Sequence, residues 1–408
     1  MVVVKNDYKV KEQIQYAALN RWREKGKHGT VIMATGFGKT FVALHALYTM
    51  PKNEDITHLF LAEVTDRYDD LMEQIRKYEI IFNRDILSNY KLDFMCYQAA
   101  YKLKGETFGL VIADEIHDSL TPSYSKFYTN NNYSALIGLS AKVNRLTSYQ
   151  VGESVVTKGL LLDSLAPVCY KYDLKVAVEN KTSRDLTIHV IYNDLDTKTP
   201  TVKAGSKQKP FFQTEYAAYT YWDSRHKKAY YIEDDKKRDI EILKTAGKRS
   251  AILLNLQSKI LIVKMLLAHL ESKTILFANS LDFLHKITKH VVSSRNSEAR
   301  NNEIRNLMSN GFIKLIGSFK KLKQGANLAE DLDNCIIASY YSSEVDLEQR
   351  IGRLRDNGTK GNVFIIVTKD TQEYKWFALM MKAVKNIHTE YHQDVSQCIQ
   401  YLIENEKK

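Results

Sequence analysis

The sequence predicts an α/β protein of two lobes with parallel sheets and a small insertion on the second lobe, and three observations carry that prediction. A chain of 408 residues is longer than one hydrophobic core commonly serves. Short apolar runs alternate with helix-period stretches from residue 29 to about 140, the mark of strand-helix-strand units. The same alternation starts again near residue 256.

In chain order, the first lobe is expected over residues 1–150, with buried strands at Val31–Ala34, Leu59–Ala62, Leu110–Ala113 and Ala135–Leu139. Residues 151–255 read as a connector and insertion. They are more polar, carry Pro167, Pro200 and Pro210, and alternate in stretches such as Leu186–Ile191. The run Glu233–Arg238 fits a solvated helix face better than a binding tail. The second lobe, 256–408, opens with an amphipathic helix over Leu256–Leu270. Its strands are expected at Thr274–Ala278, Lys314–Ile316, Cys335–Ala338 and Val363–Val367.

Composition narrows the class only a little. Hydrophobic residues make up 44% and charged residues 26%, ordinary for a globular protein. Lys plus Arg outnumber Asp plus Glu by 59 to 48, a formal +11, which favours a polyanionic partner. Cys96, Cys169, Cys335 and Cys398 lie far apart without a CxxC pair, so neither a zinc ribbon nor a disulfide framework is suggested. The amino-terminal apolar run is too short for a secretion signal, and no stretch is expected to span a bilayer. A soluble, cytoplasmic protein with no membrane partner is the expectation.

Ala34-Thr35-Gly36-Phe37-Gly38-Lys39-Thr40 follows an expected strand and opens an expected helix. That context lets glycine-rich backbone close around phosphate at a helix amino terminus. Lys39 is placed to reach the β and γ phosphates, and the Thr40 hydroxyl to ligate Mg2+. Some 75 residues after Lys39, an apolar run delivers Asp114 and Glu115 at its carboxyl end. Ligands gather at that edge of a parallel sheet. Asp114 suits a magnesium ligand, and Glu115 suits the orientation or deprotonation of an attacking water.

These residues resemble the superfamily 2 helicases of the DExH type, whose loop ends in Gly-x-Gly-Lys-Thr as Gly36 to Thr40 do. The resemblance implies two RecA-like lobes with the ATP site in the cleft between them, and ATP and Mg2+ as cofactors. Thr35, Gly36, Gly38, Lys39 and Thr40 then hold phosphate, and Gln15 or its rival Gln13 reads adenine. Thr65, Arg67, Tyr97 and Gln98 sit where family motifs touch the nucleic-acid backbone. Gly138-Leu139-Ser140-Ala141-Lys142 resembles the Ser-Ala-Thr segment that, with His117, couples hydrolysis to strand separation; Lys142 replaces the usual threonine, and a lysine is suited to meeting a phosphate instead.

In the second lobe, Ile275–Ser280 resembles the fourth motif and Ser318–Leu328 the fifth. The fifth offers Gly325 and Asn327 to nucleotide, with Asn327 where many members have aspartate, and Lys320 and Lys321 to nucleic acid. Gln349-Arg350-Ile351-Gly352-Arg353 resembles the sixth, with Gln349 toward nucleotide and Arg353 as the arginine finger. Such a finger is worth about 10³ to 10⁵ in turnover. Arg355 is the second choice, because Asp356 holds the position where the family carries its further arginine.

The function implied is an ATP-dependent helicase or translocase hydrolysing ATP to ADP and phosphate. Its expected substrate is forked or branched nucleic acid, DNA favoured over RNA. The compact form and the Gly-Ala-Asn-Leu run resemble phage-type recombination and branch-migration helicases, with recombination or replication proteins as further partners. Phe211 to Tyr231 interleaves aromatic and basic residues suited to stacking on unpaired bases, although helical spacing favours packing on a neighbour. Three alternatives stand beside the main reading: an RNA helicase, an ATP-gated clamp or motor subunit that serves a nuclease or other partner, and an ATPase acting on protein.

Overall fold

The structure is a computed structural model describing residues 4–65, 67–180, 182–206, 208–319, 331–341, 344–354 and 358–406. Gly325, Asn327, Lys320, Lys321 and Arg355 therefore lie outside the described residues. The chain divides into two compact units, the first running to Ser183 and the second starting at Arg184.

The first unit holds a six-stranded parallel sheet. Its strands are β1 (His28–Met33), β2 (Thr57–Ala62), β3 (Lys91–Cys96), β4 (Thr107–Asp114), β5 (Asn132–Ser140) and, after a small hairpin of β6 (Ser148–Val151) and β7 (Ser154–Thr157), β8 (Val168–Tyr172). Their spatial order is β3-β2-β4-β5-β1-β8. Because successive side chains point to opposite faces, each central strand feeds two cores. Phe60, Ala62, Leu110, Ile112 and Ile137 join one, which also takes the helices α1 (Val4–Glu24) and α2 (Lys39–Tyr48). Leu59, Leu61, Val111, Ala113 and Leu136 join the other with Phe127 and Tyr128. Trp22 is fully buried, and its indole N–H donates to the Leu136 carbonyl at 2.8 Å, fastening α1 to β5.

The second unit holds a seven-stranded parallel sheet. It comprises β9 (Leu186–Asn193), β12 (Lys273–Ala278), β13 (Val291–Val292), β14 (Leu315–Phe319), β15 (Leu332–Ile337), β16 (Gly361–Thr368) and β17 (His388–His392), in the order β13-β14-β12-β15-β16-β9-β17. Between β9 and β12 stand the hairpin of β10 (Val202–Gly205) and β11 (Pro210–Gln213) and the helices Glu215–Ala229 and Asp235–Leu253. Side-chain pairs bind these helices together: Arg249 meets Asp223 at 2.5 Å, His226 meets Thr245 at 2.9 Å, and Arg225 meets Glu241. Asp234, in the charged run, caps the second helix by accepting from the Lys237 amide.

Three differences from the sequence reading follow from side-chain chemistry. The first sheet runs on past residue 150 to β8. Leu186–Ile191, read as connector and insertion, is instead a strand inside the second sheet, paired with β16 and β17. Its alternation looked half-solvated, but Thr187 and His189 are both buried, and His189 is satisfied by His392 at 3.1 Å and Asn362 at 3.3 Å. Finally, Asp235–Leu267 is long and apolar enough by length and composition to cross a membrane, contrary to expectation. The stretch breaks between Leu253 and Gln257, and Ile260, Val263 and Leu266 go into the core beneath the second sheet.

Candidate nucleotide site

The loop after β1 reaches α2 through two left-handed glycines, Gly36 at φ 94° and Gly38 at φ 80°. At Gly38 a Cβ would lie 2.5 Å from Gln15 Nε2, so the turn and the close approach of α1 both require glycine. Gln15 Nε2 donates to the Phe37 carbonyl at 2.9 Å, tying α1 to the loop. Its Oε1 is buried and has no partner. Gln13 is exposed, so the structure places Gln15, of the two rivals, at the loop. No side chain caps the amino terminus of α2, which leaves the loop and first turn, with Thr35 and Thr40, suited to an anion.

β4 delivers Asp114 at its last position, and the chain then turns sharply, with Glu115 in the left-handed region at φ 46°. A non-glycine residue held there is a local strain typical of functional sites. Beneath this turn, a Cβ on Gly138 of β5 would lie 2.6 Å from Ile116 Cδ1 and 2.7 Å from Thr30 Oγ1. The bare backbone at that point lets the turn settle onto the sheet.

Lys39 Nζ donates to Glu115 Oε1 at 2.8 Å. Oγ of Ser140, the last residue of β5, lies 3.3 Å from Glu115 Oε2 and 2.9 Å from the Lys142 carbonyl, two acceptors for its one hydrogen. His117 Nδ1 lies 2.9 Å from Ser140 Oγ and 3.3 Å from Glu115 Oε2. Burial alone pushes the Glu115 carboxyl up, but Lys39 and His117 together outweigh it and hold the group well below the usual carboxylate range. Lys39, Asp114, Glu115, His117 and Ser140 thus converge, as their sequence order implies. Lys142 enters this group through its backbone carbonyl.

Two residues expected at nucleic acid have partners inside the first unit. Arg67 is turned inward, bonding Asp114 Oδ2 at 2.5 Å and Asp70 at 3.1 Å. Burial works against the Arg67 charge, yet Asp114 and Asp70 more than restore it. Tyr97 is 2% exposed, and its hydroxyl donates to the Asp114 carbonyl at 2.8 Å. Arg67 pairs the buried Asp114 carboxylate, which would be costly unpaired, and Tyr97 holds the Asp114 main chain. Thr65 and Gln98 are exposed.

In the second unit the motif Gln349–Arg353 spans the end of the helix Glu344–Ile351. Arg350 is committed to its own unit, donating to the Ser339 carbonyl at 2.9 Å and lying 5.3 Å from the centre of the Phe277 ring. Arg353 follows in the turn, partly exposed, and Gln349 Nε2 is buried without a partner. Sequence reasoning missed a buried ion pair here. Lys259, fully buried, donates to Glu373 at 2.6 Å and to the Ala338 carbonyl at 3.0 Å. No spacing signal marks a lysine on an apolar helix face as paired.

The family model described as "Type III restriction enzyme, res subunit" matches residues 8–145. The DNA 3'-5' translocase XPB2 of Sulfurisphaera tokodaii is 25% identical over 378 residues, covering 88% of this chain and 82% of that protein. Among solved structures, S. cerevisiae Dbp5 bound to RNA and ADP BeF3 superposes with a TM-score of 0.60 at 11% identity, over 97% of this chain and 93% of that one. The ATP-dependent Type ISP restriction-modification enzyme LlaBIII bound to DNA gives 0.58 at 14% identity over 93% of this chain, which spans only 29% of that enzyme. The structural likenesses establish the pair of RecA-like lobes. With the family match over the first unit and a relative aligned along most of the chain, the protein is similar to the superfamily 2 helicases, nucleic-acid-dependent ATPases.

Proposed function

We propose that this chain is an ATP-driven DNA helicase or translocase acting at forks or branched sites, in DNA recombination or repair. The observation that carries the catalytic part is the convergence of Lys39, Asp114 and Glu115 at the carboxyl edge of one parallel sheet. Support for DNA comes from the relative named a DNA translocase.

The residues present fit Mg-ATP. The uncapped amino terminus of α2 and its glycine loop suit phosphates, and the unpartnered Gln15 Oε1 offers an acceptor for an adenine amino group. Thr40 and Asp114 supply the hard oxygen ligands that magnesium takes. Bound Mg-ATP supplies the phosphoanhydride to be cleaved and a cation that offsets charge on its oxygens.

The chain's own residues do the rest. Lys39, turning onto phosphate, gives up its bond to Glu115. The Glu115 carboxylate then loses the ammonium that most depresses its basicity and becomes the better acceptor for a proton from water. Ser140 and His117 keep Glu115 aimed, while Arg67 and Tyr97 keep Asp114 in place. Arg353 serves turnover rather than nucleotide binding.

A second reading, a motor subunit that needs a partner such as a nuclease, draws on the matched family being a res subunit and on the greater length of LlaBIII. The deciding experiment is the steady-state ATPase rate without nucleic acid and with single-stranded DNA, forked DNA, duplex DNA and single-stranded RNA, with Glu115→Gln as control. Stimulation greatest with forked DNA and lost in the control is expected. Stimulation by RNA alone would overturn the DNA assignment, and a rate indifferent to all of them would favour the partner-dependent reading.

A further inference from the structure

The second unit carries a row of three tyrosine rings that its core does not use. Tyr192, near the end of β9, lies between Tyr374 and Tyr391, with ring centroids 6.5 Å away on each side and interplanar angles of 25° and 22°. The outer two rings are 50% and 55% exposed. Burial is the ordinary use of an aromatic ring, so a near-parallel row left in solvent asks for a ligand with flat faces.

Beside the row, a groove of about 880 Å³ opens over the carboxyl ends of β9 and β16, the edge of a parallel sheet where ligands gather. The helix Gln372–Met380 contributes Tyr374, Lys375 and Trp376, and the helix Glu215–Ala229 contributes Lys227 among others. Four lysine and arginine side chains line it against two carboxylates, Asp223 and Asp370. Asp223 is already held by Lys227 at 2.8 Å and Arg249 at 2.5 Å. Lys369 Nζ stands 5.8 Å from the centre of the Tyr192 ring, with Asp194 3.4 Å away.

We propose that this groove and tyrosine row hold an unpaired nucleic-acid strand, its bases stacking on Tyr374, Tyr192 and Tyr391 and its phosphates meeting Lys369 and Lys375. Cations interleaved with aromatic faces suit a polymer that alternates bases with phosphates, whereas an apolar protein face asks for a patch without charge. The stretch Phe211–Tyr231 borders the same groove through Tyr219, His226, Lys227 and Tyr230. The inference rests on the proposed function and adds where the single strand is gripped.

The test measures binding of a labelled single-stranded DNA and of a blunt duplex by fluorescence anisotropy, using the full chain as wild type, Tyr374→Ala, Tyr391→Ala and Tyr374→Phe. Thermal melting serves as the fold control, and the nucleic-acid-free ATPase rate is measured alongside. Each alanine variant is expected to bind single-stranded DNA about tenfold more weakly, with duplex binding, melting and basal ATPase unchanged. Tyr374→Phe, which keeps the ring, retains binding. Wild type that is stimulated by nucleic acid while both alanine variants bind the single strand as it does would overturn this inference alone. A shift in self-association without loss of DNA binding would overturn it too, assigning the row to protein contact. Wild type whose ATPase ignores every nucleic acid would overturn the proposed function, and this inference with it.

Discussion

At the scale of single residues, the site ties its cation to its base. Because Lys39 both bonds Glu115 and depresses its basicity, Lys39→Ala should abolish ATP turnover while leaving nucleic-acid affinity, and its steep fall with salt, largely intact. Full turnover by that variant in a phosphate-release assay would sink the assignment. Gln15 makes a different demand. Its amide braces the loop at Phe37 and leaves one buried oxygen unpartnered. Gln15→Ala should raise the KM for ATP about tenfold, the cost of about one hydrogen bond to a fixed group, and erode the preference for ATP over GTP. An unchanged KM and preference would mean that Gln15 serves only the loop.

Element by element, the sequence told most where apolar runs were continuous. β1, β2, β4 and β5 are buried on both faces, so their runs of Val, Ile, Leu and Ala were plain, and the phosphate loop and the Asp-Glu pair followed from the strands that end in them. β3 was missed because it alternates Lys91 and Asp93 with apolar residues and is only partly buried. β9 was misplaced because Thr187 and His189 look solvated, although both are buried and His189 finds its partners on other strands. Arg67 was legible as a motif residue but not as a partner of Asp114, a contact made across the fold.

The buried pair of Lys259 and Glu373 belongs to this scale, since it joins the helix Gln257–Leu267 to the helix Gln372–Met380. Lys259→Met leaves Glu373 buried without its cation and should cost about 3–5 kcal/mol. Adding Glu373→Gln should restore much of that loss. Urea denaturation of the two variants checks this, and equal instability of the single and double variants would show that the pair's charge is not what matters.

For the molecule as a whole, pH acts through histidines folded in their neutral form. Burial, reinforced by Arg84, holds His45 down at about 4, and burial holds His189 down at about 4 against the opposing pull of its Asn362 bond. Unfolded, each takes its proton near about 6.5. The stability they contribute is therefore complete above that pH and drains away as pH falls toward 4. Each should cost about 2 kcal/mol by a pH of about 5. Denaturation midpoints should fall over that window in wild type and fall less in His189→Asn; parallel slopes would overturn the assignment to His189.

The position of β9 also bears on how the chain is made. It leaves the ribosome before every other strand of its sheet, yet its two neighbours, β16 and β17, are Gly361–Thr368 and His388–His392. The first sheet is complete once β8 has emerged, at Tyr172. β9 must instead wait while more than a hundred and sixty further residues are synthesised, holding unpaired edges that invite association with other nascent chains. A translation product stopped before β16 should thus carry a folded first unit and a sticky second one, and its solubility should depend on chaperones in a way that the finished chain's does not.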